Sequence, residues 1–249
     1  MLKMIIVGTV QGLTEFLPVS SSAHLVFSQR LLGWESPDIF FDVMLHFATL
    51  FAVLVFFRKD IMDVLGRPRI LMLIAAGNIP AVAVALLFRE RIEAMFASPV
   101  YPAVFLLVTG AFLFAAARLG RERKDMEGFT VKESVITGIA QGAALLPGIS
   151  RSGITISAGM LLGWKKVQAL RFSFLLSIPV IAGAALMEMR GVDTAGIDAA
   201  GIAAGCLAAF ASGLGALYML LEAVRRTGLK FFAYYCWAAG ILAILITVL

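Results

Sequence analysis

Charged residues are scarce in this sequence, and that scarcity excludes a soluble protein. Only 15% of the 249 residues are Asp, Glu, Lys or Arg, and 61% are hydrophobic. Soluble domains carry roughly 25% charged and 45–50% apolar residues. Long polar stretches are missing as well, so no part of the chain is predicted to fold as a separate soluble domain. We therefore expect one integral membrane domain over residues 1–249.

Cysteine and histidine are also rare, with two of each. Cys206 and Cys236 lie in apolar runs, which indicates small core residues and says nothing about the redox compartment. His24 lies in a polar segment, where a functional role and a packing role are about equally expected. His46 lies inside an apolar run, and we favour a structural role for it.

Long apolar runs dominate what the sequence does contain. Six of them are close to the roughly 20 residues that a membrane-spanning helix needs. They lie at about 39–57, 70–88, 100–118, 170–187, 201–222 and 231–249. The expected fold is therefore an all-α polytopic membrane protein with six transmembrane helices.

Two further segments, 1–34 and 131–165, are apolar at their edges but interrupted by Pro, Gly, Ser and charge. Each is too interrupted for one spanning helix and too apolar for a loop in water. Irregular backbone at membrane depth is tolerated only where protein buries it or where it lines a polar cavity. We therefore expect each segment to be a re-entrant helix–loop–helix hairpin.

The two interrupted segments resemble each other at a constant offset, which indicates an internal duplication. Repeat 1 covers about 1–120 and repeat 2 about 131–249, and Pro18 and Pro147 depart from the offset by one. The matches at 130 positions are Gln11-Gly12 with Gln141-Gly142, Ser20 and Ser22 with Ser150 and Ser152, and LLGW at 31–34 with LLGW at 161–164.

Topology and charge predict how the repeats are oriented. Three spans separate the hairpins, so the second hairpin enters from the opposite face and the repeats are inverted. Fifteen of the 21 Lys and Arg residues fall opposite the N-terminus, in segments 58–69, 118–132, 165–171 and 225–230. Basic loops stay in the cytoplasm, so we expect an inner (plasma) membrane protein with both termini outside. This distribution explains the net charge of +5 without a nucleic-acid partner.

The first hairpin, QGLTEFLPVSSSAHL over 11–25, contains a carboxylate, an imidazole and several hydroxyls. Gln11 and Glu15 are four residues apart and share a helix face, where they are suited to a hard divalent cation, Mg²⁺ or Ca²⁺. Ser21 and His24 are three apart, which predicts a nucleophile with a general base or acid in reach. At least one of the three consecutive serines is expected only to cap or pack a helix.

The second hairpin, LLPGISRSGITISAG over 145–159, places Arg151 among glycines and hydroxyls. A guanidinium fork matches phosphate, and Gly148 allows the backbone to approach a ligand closely. Additional donors are Ser150, Ser152 and Thr155. A helix starting here would direct its N–H groups at an anion. The segment is typical of a phosphate site, and the structural alternative for Arg151 is a pair with Glu15.

The motifs QGLTEFLPVSSSAH and LPGISRSGITISAGMLLG resemble those of the undecaprenyl-diphosphatases of the bacitracin-resistance type. That family's first motif is Glu or Gln, three residues, then Glu, and Gln11 and Glu15 match it. Its second motif is Pro-Gly-x-Ser-Arg-Ser-x-x-Thr, which residues 147–155 match. The resemblance covers the whole chain. Because position 11 is Gln, one of the cation ligands is neutral here.

The resemblance implies hydrolysis of a polyprenyl diphosphate to the monophosphate at the outer face of the membrane, with a divalent cation. The lipid carrier is then recycled for cell-wall synthesis. A re-entrant inverted-repeat fold and a homodimer are also implied. The expected site residues are Ser21, His24, Glu15 and Arg151 for catalysis, Ser20, Ser150, Arg151, Ser152, Thr155 and Gly148 for phosphate, and Glu15 and Gln11 for the cation.

Two other functions fit parts of the sequence. A transporter or flippase of a phosphorylated polyprenyl lipid would use the same inverted-repeat fold. Such a carrier needs Arg151 and helix ends, but it does not need Ser21, His24 and Glu15, so these residues favour the enzyme. A structural scaffold explains neither the ionisable cluster nor the duplication. The sequence assigns no role to Asp42 or Glu188.

Overall fold

The structure is a computed structural model, and it describes residues 1–34, 39–96, 98, 100–188, 198–226 and 228–248. Within these ranges the fold is helical, without a β-strand beyond one isolated bridge between Lys124 and Trp164. The helices are α1 (Leu2–Phe16), α2 (Ser21–Leu31), α3 (Ile39–Phe56), α4 (Arg58–Leu65), α5 (Pro68–Phe96), α6 (Val100–Leu119), α7 (Val131–Ala143), α8 (Arg151–Leu161), α9 (Lys166–Glu188), α10 (Ala199–Arg226) and α11 (Lys230–Val248).

All six predicted spans are helices, which confirms an all-α polytopic membrane protein. In the described part of the chain, α5, α6, α9, α10 and α11 are each long and apolar enough to cross a membrane. Helix α3 passes the same test together with α4, which follows it at a bend of 72°. By length and composition, the described ranges therefore contain five candidate spans, or six if α3 and α4 form one span.

Each of the two interrupted segments forms two helices with a break between them. The break between α1 and α2 contains Pro18, and the break between α7 and α8 contains Pro147. Proline cannot donate a helix hydrogen bond, so it favours these interruptions. Ser20, with φ of 67°, and Gly148, with φ of 100°, adopt left-handed backbone that turns the chain.

The first helices of the two interrupted segments pack in a similar way. Helix α1 packs against α10, and α7 packs against α5. A Cβ on Gly8 would lie 2.1 Å from the Gly205 carbonyl oxygen, and a Cβ on Gly138 would lie 2.0 Å from that of Gly77. Gly8 and Gly138 are separated by the same 130 positions as the repeated motifs. Small residues of this kind let membrane helices approach backbone to backbone.

Replacement of Gly138 by alanine should destabilise the protein, because its Cβ would overlap the Gly77 carbonyl of α5. We expect a loss of about 1–3 kcal/mol, the usual cost of overpacking. Gly183 of α9 is the matched control, since no atom lies within 4 Å of a Cβ built there. Thermal unfolding in detergent should show a lower Tm for Gly138→Ala only. Equal shifts for the two variants would contradict the close packing of α7 and α5.

Helix α7 begins with a capping box. Thr130 Oγ1 accepts a hydrogen bond from the Glu133 N–H at 3.2 Å, and the Glu133 carboxylate accepts one from the Thr130 N–H at 2.9 Å. Lys124 also forms an ion pair with Glu133. Burial acts to raise the pKa of Glu133, but the hydrogen bonds from Lys124 and Thr130 outweigh it and lower the pKa.

Because the pKa of Glu133 is lowered by folding, its ionised form should stabilise the protein above its ordinary pKa of about 4.5. This contribution should disappear as the pH falls through the lowered pKa of the folded state. Glu133→Gln should therefore unfold with less pH dependence than the parent in this acid range. Thermal unfolding at a series of pH values checks the difference. Parallel curves for the two proteins would contradict the prediction.

Candidate active site

The two helix breaks meet in space. The Gly148 N–H donates to Ser22 Oγ at 3.3 Å, across 126 positions of sequence. A Cβ on Gly153 of α8 would lie 3.3 Å from the Pro18 side chain. Ser20 Oγ lies 3.1 Å from Ser22 Oγ. The residues predicted on separate hairpins therefore face a common centre.

Glu15 is at that centre, buried near the end of α1. Its Oε1 accepts a hydrogen bond from Arg151 Nη2 at 2.5 Å. Its Oε2 accepts hydrogen bonds from Ser21 Oγ at 2.7 Å and from Gln11 Nε2 at 3.1 Å. The buried carboxylate and guanidinium compensate each other, as buried charges must.

Two polar atoms of this cluster are buried and have no hydrogen-bond partner within the described ranges. They are Arg151 Nη1 and Gln11 Oε1. An unsatisfied buried polar group costs about 1–3 kcal/mol, so the lack of a partner at these two atoms needs a physical explanation. Both belong to side chains that also bond Glu15. The cluster thus offers one donor suited to an anion and one acceptor suited to a cation.

The first turn of α8 is held by hydroxyl groups. Ser150 caps the helix, with its Oγ accepting from the Gly153 N–H at 3.1 Å, and it lies 3.2 Å from Ser152 Oγ. Thr109 Oγ1 of α6 accepts from the Ser150 N–H at 3.0 Å and donates to the Gly148 carbonyl at 3.1 Å. These bonds fix the α8 N-terminus, whose positive dipole end favours anions, next to Glu15.

Thr155 and Gly148, both predicted to bind phosphate, also have structural contacts. Thr155 Oγ1 donates to the Arg151 carbonyl at 2.7 Å and lies 2.5 Å from Ser173 Oγ of α9. A Cβ on Gly148 would lie 2.2 Å from the Pro102 carbonyl oxygen. Glycine is therefore required there by the close approach of α6, and the left-handed φ adds to that requirement.

His24 forms no hydrogen bond with Ser21, although the spacing predicted that the two side chains lie within reach of each other. Its Nδ1 lies 2.8 Å from the Ser20 carbonyl oxygen and its Nε2 lies 2.7 Å from Tyr235 Oη on α11. The His24 and Tyr235 rings stack with centroids 5.8 Å apart. The Ser21 hydroxyl donates to the Glu15 carboxylate and not to His24. Tyr235 was missed because it is 211 positions away in an apolar run.

His46 lies beside the site, although an apolar run predicted a purely structural role. Its Nε2 is 3.9 Å from Glu15 Oε2. Its Nδ1 lies 2.8 Å from the Asp42 carbonyl oxygen, and Gln29 Nε2 donates to Asp42 Oδ1 at 2.7 Å. The sequence signal for this position of His46 was an ionisable residue at membrane depth. The side chain of Glu188 lies outside the described residues.

The two residues expected to hold a cation both offer an oxygen atom. Glu15 supplies a carboxylate, and Gln11 supplies the buried amide oxygen that has no partner in the described structure. The described residues contain no group of three or more His, Cys, Asp or Glu side chains placed to hold a metal. Mg²⁺ sites commonly use one or two carboxylates and complete their shell with substrate phosphates and water. Glu15 and Gln11 therefore fit a cation whose remaining ligands are substrate phosphates and water.

Known proteins match this chain over nearly its whole length. The family model described as "Bacitracin resistance protein BacA" matches residues 4–242. The undecaprenyl-diphosphatase of Methanobrevibacter smithii is 42% identical, over 97% of this chain and 95% of the relative. That of Carboxydothermus hydrogenoformans is 39% identical, over 96% and 94%. That of Halothermothrix orenii is 40% identical, over 98% and 97%.

Proposed function

This chain belongs to the family of the bacitracin resistance protein BacA, and from that premise we propose that it is an undecaprenyl-diphosphatase. The enzyme converts undecaprenyl diphosphate and water to the monophosphate and inorganic phosphate. The observation that carries the proposal is the contact of Glu15 with both Ser21 and Arg151. This contact brings together the proposed nucleophile, base and phosphate-binding group where the two helix breaks meet.

Arg151 holds the diphosphate in this mechanism. Its free Nη1 binds a phosphate oxygen, while the N-terminus of α8 adds further positive potential. Phosphoryl transfer depends mainly on positioning and on neutralising charge, so this contribution is expected to be large. Ser150 and Ser152 hold the α8 turn, and Ser20 supports the turn between α1 and α2.

Ser21 is the proposed nucleophile, with a water in its place as the alternative. Glu15 accepts the proton of the Ser21 hydroxyl as Oγ attacks the terminal phosphorus. The bond from that phosphorus to the bridging oxygen breaks, and polyprenyl monophosphate leaves. Water then hydrolyses the phosphoserine and releases phosphate. His24, held by Ser20 and Tyr235, moves the proton to or from the reacting groups.

A divalent cation is the proposed cofactor, Mg²⁺ or Ca²⁺. Glu15 and Gln11 would hold it through oxygen atoms, and it would supply positive charge against the diphosphate. The unpartnered Gln11 Oε1 supports this assignment.

The fold of the proposed enzyme is an inverted repeat, with re-entrant hairpins at 1–34 and 131–165. Support comes from the glycine contacts that recur between α1 and α10 and between α7 and α5. The distribution of basic residues supports an inner-membrane location with both termini and the site facing outside. A homodimer remains a proposal from the resemblance, since Gly205 and Gly213 of α10 pack inside this chain.

Ser21→Ala should lower the rate of phosphate release by about 10³-fold or more if Ser21 is the nucleophile. Ser28→Ala is the matched control, because its hydroxyl donates only to the Leu25 carbonyl within α2 among the contacts described. Phosphate release from a polyprenyl diphosphate in detergent is the measurement. Full activity of Ser21→Ala would reject the nucleophile and favour direct attack by water.

The same assay separates the enzyme from a transporter, because transport has no meaning in detergent. Phosphate release by the purified protein is the expected result. Retained lipid binding without any release would favour the carrier.

A further inference from the structure

His46 of α3 has one ring nitrogen in a hydrogen bond and one without. Its Nδ1 lies 2.8 Å from the Asp42 carbonyl oxygen, and because a carbonyl oxygen only accepts, Nδ1 carries the proton. Nε2 is then the acceptor nitrogen of the neutral ring, and among the contacts of the described residues it has no hydrogen bond. His46 therefore presents a nitrogen lone pair that nothing in its own helix uses.

That lone pair faces the buried carboxylate of the site. His46 Nε2 lies 3.9 Å from Glu15 Oε2, which is too far for a hydrogen bond. Two acceptor atoms, an imidazole nitrogen and a carboxylate oxygen, thus face each other across a gap. Two ligands that bind one ion at about 2.1 Å each lie at most about 4.2 Å apart. The gap between His46 and Glu15 is therefore compatible with a single shared cation.

A further oxygen belongs to the same side of Glu15. Gln11 Nε2 donates to Glu15 Oε2 at 3.1 Å, which fixes the orientation of the amide, and the buried Gln11 Oε1 has no partner in the described structure. Arg151 donates to the other carboxylate oxygen, Glu15 Oε1. The carboxylate thus offers one oxygen to the arginine, whereas the other lies beside Gln11, Ser21 and His46.

We propose that His46 Nε2 is a ligand of the divalent cation, together with Glu15 and the amide oxygen of Gln11. The inference rests on the proposed function, which supplies the cation and the diphosphate. A metal-bound histidine almost always donates its other ring N–H to a carboxylate or a backbone carbonyl, as His46 does to Asp42. The His46 side chain is 35% exposed and that of Glu15 is 7% exposed, so we expect the ion to enter from the His46 side.

His24, the other histidine of the chain, has both ring nitrogens in hydrogen bonds. Its Nδ1 lies 2.8 Å from the Ser20 carbonyl oxygen, and its Nε2 lies 2.7 Å from Tyr235 Oη. Neither nitrogen is left for an ion while these bonds are kept. Because the sequence contains two histidines, an imidazole ligand of the cation is assigned to His46.

An imidazole ligand changes which cations the site prefers. Mg²⁺ and Ca²⁺ take oxygen ligands, whereas imidazole suits transition metals. Mn²⁺ shares the preference for carboxylate and carbonyl oxygen and, as a transition metal, also accepts imidazole. We therefore expect the parent to bind Mn²⁺ about tenfold more tightly than Mg²⁺, and His46→Gln to lose most of this difference.

The test uses Mn²⁺ alone as the probe, bound to the full-length protein in detergent without substrate. Pulsed EPR detects a nitrogen nucleus coordinated to Mn²⁺. We expect nitrogen coupling in the parent and in His24→Gln, and its loss in His46→Gln. Parent protein that contains ¹⁵N-histidine should show the coupling of the substituted isotope. Retention of the coupling in His24→Gln assigns it to His46 even where His46→Gln fails to fold.

A titration of the same proteins measures the affinities. The EPR signal of free Mn²⁺ reports binding, and competition reports the affinity for Mg²⁺. We expect His46→Gln, with Tm unchanged, to bind Mn²⁺ about tenfold more weakly than the parent and Mg²⁺ about equally well. An equal loss of affinity for both cations would contradict a nitrogen ligand, because Mg²⁺ gains little from imidazole.

The outcomes separate the inference from the function. Bound Mn²⁺ without nitrogen coupling in the parent overturns the role of His46 and leaves Glu15 and Gln11 as oxygen ligands. Loss of the coupling in His24→Gln overturns it too. Absence of any bound cation also overturns the inference, and phosphate release by the parent then decides the function separately. Release without an added cation keeps the phosphatase, whereas no release under any condition rejects it.

Discussion

Arg151→Ala will lower kcat/KM for polyprenyl diphosphate by about 10³-fold or more, the usual scale for an arginine that stabilises transferring phosphate. The loss follows from the two roles of the side chain, which neutralises Glu15 through Nη2 and offers Nη1 to the substrate. Arg151→Lys should recover little, because a lysine lacks the planar fork that serves both partners. Phosphate release under matched detergent conditions is the measurement.

Two variants keep this result interpretable. Arg30→Ala removes the same charge from an exposed position at the end of α2 and should be fully active. Arg151→Ala leaves Glu15 buried without its cation, at a cost of about 3–5 kcal/mol, so its Tm should fall. Combining Arg151→Ala with Glu15→Gln should restore part of the Tm and none of the activity. Activity of Arg151→Ala near that of Arg30→Ala would contradict the role of Arg151.

Glu15→Gln should lower kcat by about 10²–10⁴-fold, the range for loss of a general base. The variant keeps the size of the side chain but cannot accept the Ser21 proton. It also replaces the carboxylate proposed to hold the cation with a neutral amide, so a higher cation concentration should be required for any residual activity. Steady-state kinetics across a Mg²⁺ titration measure both effects.

Glu222→Gln is the control for Glu15→Gln, because Glu222 forms its ion pair with the exposed Arg226 near the end of α10. We expect its kinetics and its cation requirement to match the parent. An unchanged rate for Glu15→Gln, with the protein folded, would mean that Ser21 needs no base. A lower rate with an unchanged cation requirement would support Glu15 as the base and contradict its role as a cation ligand.

The spans were predictable because apolar runs determine membrane helices almost alone. The helix ends were less predictable. Helix α5 extends to Phe96, well past the apolar run, and Arg89 pairs with Glu93 at one helical turn in this polar extension. Helix α3 ends where Arg58 and Lys59 begin, and the chain bends by 72° there, which hydropathy does not encode.

The site residues were predictable by type, whereas most of the contacts between them were not. The pairing of Glu15 with Arg151 was foreseen as an alternative, because few other groups are able to neutralise an arginine in an apolar hairpin. The contact of Ser21 with Glu15 depends on the backbone at Ser20, whose positive φ turns the start of α2. Ser21 and His24 do share helix α2, but their side chains bond Glu15 of α1 and Tyr235 of α11, and residue spacing within one helix does not encode such contacts.

The neighbours contributed by distant helices were the least predictable part of the site. His46 and Tyr235 stand in apolar runs that predict only spans, and each reaches the cluster through the packing of α3 or α11. Thr109 is a small hydroxyl in α6 with no motif around it, yet it fixes both Gly148 and Ser150. One sequence carries no signal for such contacts, because they depend on how whole helices pack.

The most direct test of the central claim is phosphate release from a long-chain polyprenyl diphosphate by the purified protein in detergent, with and without Mg²⁺. The parent is compared with Arg151→Ala and Glu15→Gln, each checked for folding by its Tm. We expect release by the parent and its loss in both variants, which would place the two helix breaks in one active site. No release by a folded parent that still binds the lipid would contradict it.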